Sequence, residues 1–246
     1  MGLLEGRTAL VTGGSAGIGL AAAVRLAAEG AHVFVTGRRE AELDAAVKAI
    51  GPAATGVPGD IGDLADLDRL YATIRAHGRG LDVLFANASI AALGTLDQVT
   101  EEHFDALFRI NVRGTLFTVK KALPLLNDGA SVILNGSTNG DVGDDAMGVY
   151  AASKAATRSF ARTWANELKG RGIRVNTVTP GPTDTPALAA LTPDAELFRR
   201  QLSARVPLGR LARPEEIAAA VAFLASDQSS FITGSSLYAD GGLNQI

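Results

Sequence analysis

The chain contains no cysteine, which excludes disulfides, thiolate nucleophiles and sulfur-ligated metals. Its three histidines, His32, His77 and His103, stand far apart without metal-ligand spacing, so zinc-dependent alcohol chemistry has no visible ligands. Basic residues never run beyond pairs (Arg38-Arg39, Lys120-Lys121, Arg199-Arg200), and the formal net charge is -3. Nucleic acid is therefore not an expected partner. No apolar stretch approaches the ~18 residues that cross a bilayer. The opening Met1-Gly2-Leu3-Leu4-Glu5-Gly6-Arg7 lacks the basic segment, apolar core and cleavage site of a secretory signal. These absences lead to the expectation of a cytoplasmic protein with no membrane partner. What is abundant is apolar sequence, 47% of 246 residues, enough for the core of one α/β domain.

Apolar runs of strand length alternate with longer helical patterns, the mark of βαβ units and a parallel sheet. Strands are predicted at Thr8–Thr12, His32–Thr36, Thr55–Pro58, Asp82–Ala86, Ser131–Asn135, Arg174–Val178 and Ser235–Ala239. Helices are predicted at Ile18–Glu29, Glu40–Ile50, Leu64–Ala76, Glu101–Leu126, Tyr150–Lys169 and Pro214–Ala225, with a loop over Ser137–Val149. There is no internal repeat, low-complexity tract or linker. The expected fold is a single doubly wound Rossmann-type α/β domain over residues 1–246. Its seven-stranded, mostly parallel sheet carries helices on both faces. A dinucleotide-binding part is expected over about residues 1–135, and a catalytic and substrate-binding part over about 136–246.

The turn Thr12-Gly13-Gly14-Ser15-Ala16-Gly17-Ile18-Gly19 leaves the first strand and opens the first helix. Such a turn offers free backbone N–H groups and a partial positive charge to a pyrophosphate, and glycines let the backbone approach closely. The spacing, Gly13, Gly17 and Gly19, is G-x-x-x-G-x-G rather than the common G-x-G-x-x-G. The second strand ends at Gly37, where an acid would accept from a ribose 2′-hydroxyl and repel a 2′-phosphate. Arg38 and Arg39 follow instead, with Ser15 as a further hydroxyl, and guanidinium groups suit phosphate. NADP(H) is thus expected over NAD(H). Asp60-Ile61 and Asn87-Ala88-Ser89 follow the third and fourth strands, at the carboxyl edge where open α/β sheets bind ligands. Asp60 is expected to accept from the adenine amino group. Tyr150 and Lys154, about 140 residues beyond the glycine turn, lie four apart on one helix face. A nearby cation favours phenolate in a side chain that otherwise titrates near pH 10.

These residues resemble the classical short-chain dehydrogenase/reductases over nearly the whole chain. The resemblance takes in Thr12 to Gly19, Asp60, Asn87-Ala88, Asn111, Ser137, Tyr150-x-x-x-Lys154 and Asn176-x-Val178-x-Pro180-Gly181. It ends on Ile232-Thr233-Gly234 and Asp240-Gly241-Gly242. It implies a tetrad. Tyr150 acts as general acid in reduction, Ser137 hydrogen-bonds the substrate oxygen, and Lys154 binds the nicotinamide ribose. Asn111 holds a water linking Lys154 to solvent. It also implies cofactor contacts from Ile18, Pro180, Gly181, Thr183 and Thr185, and a homotetramer paired through the Glu101–Leu126 and Tyr150–Lys169 helices. The stripe Phe160, Trp164 and Leu168 fits either that pairing or the core. Two departures stand out. Ala86-Asn87-Ala88-Ser89 replaces Asn-Asn-Ala-Gly, and Asn135-Gly136-Ser137 replaces a more usual pair of serines.

The substrate pocket is expected from Ser89–Leu93, from Thr138–Val149 including Asn139, and from a lid over Thr185–Val206 carrying Leu188, Leu191, Phe198, Leu202 and Val206. Neither loop carries a lysine or arginine to anchor a carboxylate, and Asp141, Asp144 and Asp145 read as solvated loop acids. An apolar lining suits an apolar ketone. The leading expectation is a carbonyl reductase or secondary alcohol dehydrogenase. A 3-oxoacyl-thioester reductase is the alternative, followed by a non-catalytic NADP(H)-binding sensor.

Overall fold

The computed structural model describes residues 2–246. Their strands are β1 (Thr8–Thr12), β2 (His32–Gly37), β3 (Ala54–Pro58), β4 (Leu81–Ala86), β5 (Leu126–Asn135), β6 (Arg174–Pro180) and β7 (Ser236–Ala239). All seven pair in parallel in the order β3-β2-β1-β4-β5-β6-β7. All five residues of β1 are buried, as a strand covered by helices on both faces requires.

One face carries α1 (Gly17–Ala28), α2 (Glu40–Ile50) and α9 (Pro214–Ala225). Here the small Ala22 and Ala23 of α1 share a core with Ala218 and Ala222 of α9, which lets the two helices approach closely. The other face carries α3 (Leu64–His77), α4 (Glu101–Phe108), α5 (Thr115–Ala122) and α6 (Gly148–Leu168) around Leu70, Val119 and Ala161. The partly buried Phe160, Trp164 and Leu168 pack against that second core. Strand order reverses between β1 and β4, and the crevice outside their carboxyl ends is where such sheets hold ligands.

Most boundaries fall within two residues of expectation, and three regions differ by more. The single helix predicted over Glu101–Leu126 is broken into α4, a π-helical turn at Arg109–Gly114 and α5. It stops at Ala122 because Pro124 has no N–H to donate, and the chain closes with tight bonds from Leu123 N to Lys120 O (3.4 Å) and Leu125 N to Ala122 O (2.8 Å). β5 then begins at Leu126, five residues early. Its register shifts between the Leu81–Leu126 and Val83–Ser131 pairs, and this irregular stretch, Asn127-Asp128-Gly129, does not read as strand. The expected lid is two short helices, α7 (Pro186–Ala189) and α8 (Ala195–Arg205), and neither has a fully buried residue.

Candidate active site

The β1–α1 turn is shaped by close approach. Gly13 adopts φ 63°, and a Cβ added there would lie 2.9 Å from Ala88 Cα; one at Gly19 would lie 2.1 Å from the Gly13 carbonyl oxygen. Ala16, the N-cap of α1, supplies no side-chain cap, so the first N–H groups of that helix lack a capping side chain. Thr12 joins β1 to β4: its buried hydroxyl accepts from Asn87 N (3.0 Å) and Ala88 N (3.1 Å). Asn87 in turn donates to the carbonyls of Thr12 (2.9 Å) and Gly13 (3.2 Å) and accepts from Asn135 Nδ2 (3.0 Å).

The turn opens into a cleft of about 630 Å³ at the carboxyl ends of the strands. Each predicted cofactor residue lines it except Lys154, which is buried, as is Asn111; the predicted substrate residues line it too except Val206, which is buried beside Gly241. Gly17 meets the start of the 185–206 segment, since a Cβ there would lie 3.2 Å from Thr185 Cγ2. Arg38 is exposed and has no ion pair among the described residues. Arg39, expected beside it, pairs with Glu42 one turn along α2. The Asp60 carboxylate is already engaged: Oδ2 accepts from Arg109 Nη1 and Nη2 (3.1 and 3.2 Å), and Oδ1 from Gly62 N (2.8 Å). Arg109 was not expected at this site. The glycine cradle and the uncapped helix end fit the pyrophosphate of a dinucleotide, with the free guanidinium of Arg38 at the rim of the same cleft.

Tyr150 sits in the first turn of α6 with Lys154 one turn below, its Nζ 5.5 Å from the phenol ring centre. Lys154 Nζ donates to the Asn135 carbonyl (2.8 Å), which leaves its other protons for a ligand. Burial brings the Lys154 ammonium down to about 7. Burial also raises the Tyr150 phenol, and the Ser137 hydroxyl offsets part of that rise. In the protein alone the phenol is therefore pushed up rather than drawn towards phenolate, because burial outweighs the Ser137 hydrogen bond. Asn111 lies inside the π-helical turn, a feature common at functional sites. Its amide is taken up by Ile90 N (2.9 Å), Ile90 O (2.8 Å) and Ser153 Oγ (3.0 Å). Ser153 donates back to Tyr150 O (2.7 Å), so the β4 loop, the π turn and α6 form one unit.

Ser137 caps the 3₁₀ turn Thr138–Gly140, and its hydroxyl accepts from Asn139 N (3.2 Å). The expected substrate residues Ser89, Asn139, Leu188 and Leu191 share the cleft wall with Phe198 and Leu202. Two of the three loop acids are not simply solvated, whereas Asp145 is exposed. Asp141 pairs with Arg158 and accepts from Tyr238 (2.7 Å); Asp144 pairs with Arg205 (2.6 Å). Arg205 lines the cleft from the lid, a cation that inspection of the two loops alone does not reveal. Asn135 was also missed as a link: its side chain holds Asn87 and its carbonyl holds Lys154, and its only signal was its place two residues before Ser137.

A dinucleotide cradle beside a Tyr–Lys pair defines an oxidoreductase built on a Rossmann-type domain. The family model described as "Enoyl-(Acyl carrier protein) reductase" matches residues 13–244. Oxidoreductase asL5 of Sarocladium schorii is 46% identical over 246 residues, covering 99% of this chain and 98% of the relative. The 3-oxoacyl-[acyl-carrier-protein] reductase FabG of Thermotoga maritima is 37% identical, covering 98% of each. Two solved structures carry a named cofactor. The 3-ketoacyl-(acyl-carrier-protein) reductase of Brucella melitensis complexed with NADH superposes at TM-score 0.92 with 32% identity, covering 98% of this chain and 99% of that one. A blue fluorescent protein from a metagenomic library in complex with NADPH superposes at 0.91 with 34% identity and the same coverages. The chain belongs to the short-chain dehydrogenase/reductase family. Among the described residues no helix is long and apolar enough to cross a membrane.

Proposed function

We propose that this oxidoreductase is an NADP(H)-preferring carbonyl reductase, or secondary alcohol dehydrogenase, acting on apolar ketones. The observation that carries the reading is the convergence of the Tyr150 phenol and Ser137 on a cleft walled by Leu188, Leu191, Phe198 and Leu202. Arg38 beside Gly37 supports the cofactor preference. When bound, the reduced nicotinamide supplies the hydride. The residues of the chain then manage the charge that develops on the carbonyl oxygen. Tyr150, held neutral by burial, gives that oxygen its proton, and Ser137 donates a second hydrogen bond. Asn139 N–H occupies a lone pair of Ser137 Oγ, and the hydroxyl itself rests on Asn139 Oδ1 through a long contact (3.3 Å) that a substrate carbonyl can displace. Lys154, anchored on the Asn135 carbonyl, orients the ribose and relays the proton that restores Tyr150. With its amide engaged by Ile90 and Ser153, Asn111 can hold a relay water only through its main chain or the remaining lone pair of Oδ1.

Reduction of carrier-bound 3-oxoacyl thioesters is the second reading, favoured by the names of the matching family and of the Thermotoga and Brucella relatives. An acidic carrier docks on a basic rim, whereas here Arg205, the cation that α8 brings to the cleft, is paired with Asp144. The deciding assay compares kcat/KM for a simple aryl ketone and for a carrier-bound 3-oxoacyl chain at low salt. The ketone is expected to win; a tenfold advantage for the carrier-bound chain replaces the first reading by the second. The proposal includes a cytoplasmic homotetramer paired through α4, α5 and α6. In support, Phe104 of α4 is 44% exposed and stacks on Phe108. Sedimentation equilibrium reads that state directly, and a fully active monomer contradicts it.

A further inference from the structure

We propose that Asp144 and Arg205 are positioning residues through which the lid segment aligns the Ser137 hydroxyl. The inference rests on the tetrad reading above. Arg205, the last residue of α8, donates from Nη2 to Asp144 Oδ1 (2.6 Å). The other carboxylate oxygen of Asp144 accepts from Asn139 Nδ2 (3.0 Å). Asn139 Oδ1 then receives the Ser137 hydroxyl (3.3 Å), and Asn139 N–H donates back to Ser137 Oγ (3.2 Å). A polar chain of four side chains thus runs from the lid to the serine that faces substrate.

The order of groups in that chain has a chemical consequence. An ionised carboxylate only accepts, so Asp144 dictates which end of the Asn139 amide faces it. The NH₂ turns to Asp144 and the carbonyl oxygen is left for Ser137. Ser137 is held in one rotamer by a long, weak contact, which a substrate carbonyl can displace without reorganising anything else.

The first half of the loop between Ser137 and Tyr150 is held at Asp141 by Arg158 and Tyr238, whereas Ala146 in its second half sits at φ 59°, a left-handed conformation that costs energy in a non-glycine residue. Such strain persists only where neighbours impose it, here through Arg205 and Asn139 on Asp144 and through Gly94 N on Ala146 O (2.9 Å). Because α8 buries no residue fully, its position relative to the core depends on contacts of this kind. The Asp144–Arg205 pair is part-exposed (25% and 48%), so it is weak enough to open for substrate and reform over it.

The test is a cycle built on Asp144→Asn, which preserves shape and removes the fixed acceptor, in the native and the Ser137→Ala backgrounds. With an apolar ketone and saturating NADPH, D144N is expected to lower kcat on the order of tenfold, the scale of one partly screened charge-assisted contact. NADPH affinity, read by fluorescence titration, should stay within twofold. Arg205→Met should produce a similar loss that does not add to D144N, and Arg205→Lys should recover most of it. In the S137A background D144N should cost less than twofold, since the group it positions is gone. An equal loss in both backgrounds reduces Asp144 to a structural role, and a loss below twofold in the native background overturns the proposal as well. Should S137A by itself keep activity within tenfold of native, the tetrad reading fails and takes this inference with it.

Discussion

Replacing Arg38 by leucine removes the free cation at the end of β2 and should weaken NADPH while leaving NADH nearly untouched. A charge-assisted hydrogen bond contributes about 1.5–3 kcal/mol, and about 1.4 kcal/mol is one decade, so the loss spans roughly 10- to 100-fold. Arg38 is exposed, so screening places the expected change nearer tenfold and makes it shrink with added salt. The loss should appear in KM with kcat unchanged, because the 2′-phosphate is gripped equally in ground and transition states. The converse change, Gly37→Asp, is obstructed: a Cβ at residue 37 would lie 2.9 Å from Ser15 Oγ. It should therefore need Ser15→Gly to move preference fully to NADH, and Gly37→Asp with Arg38→Leu alone should fall short. Steady-state kinetics of each variant with both cofactors gives the ratio. An Arg38→Leu enzyme whose NADPH/NADH ratio stays within twofold of native refutes the 2′-phosphate assignment.

Two other outcomes concern the scaffold of the site. Thr12→Val keeps the shape but leaves the N–H groups of Asn87 and Ala88 without their acceptor. At roughly 1–3 kcal/mol per orphaned donor, urea unfolding should show a loss of about 2–4 kcal/mol, and a loss under about 0.5 kcal/mol would deny Thr12 that role. Lys154→Met probes the buried amine. Its folded value of about 7 lies below the ordinary 10.5, so the unfolded chain binds more protons between those values. The burial penalty is complete below pH 7 and is relieved as pH rises. Native protein free of cofactor should therefore gain stability on K154M between pH 7 and 9, and a difference independent of pH in thermal melts contradicts a depressed Lys154.

Much of this was legible in the chain because the signals are local. The β1 run, its glycine turn and the alanine-rich start of α1 are contiguous, and Tyr150 and Lys154 need only helical periodicity to share a face. The π-helical turn was not legible, since one extra residue per turn at Arg109–Gly114 leaves the apolar pattern almost unchanged. The early start of β5 was hidden by polar Asn127-Asp128-Gly129 within an irregular register. Arg39 illustrates competition between roles: it was read as a phosphate ligand, yet Glu42 three residues on offers a nearer charge. Asp60–Arg109 and Asp144–Arg205 join residues 49 and 61 apart in sequence, which only the topology brings together. The upward push on the Tyr150 phenol was not legible either, because spacing reveals the neighbouring amine but not the burial of both groups.

The account stands on Tyr150 as the proton donor in an NADP(H)-dependent carbonyl reduction, and Tyr150→Phe tests that directly. Removing only the hydroxyl should lower kcat for an apolar ketone by about 10²–10⁴-fold, the range for lost general acid–base help. NADPH affinity should stay within about twofold in a fluorescence titration, because the phenol's partner in the site is the substrate oxygen rather than the phosphate cradle. A Phe variant that retains a tenth or more of native turnover would contradict the mechanism.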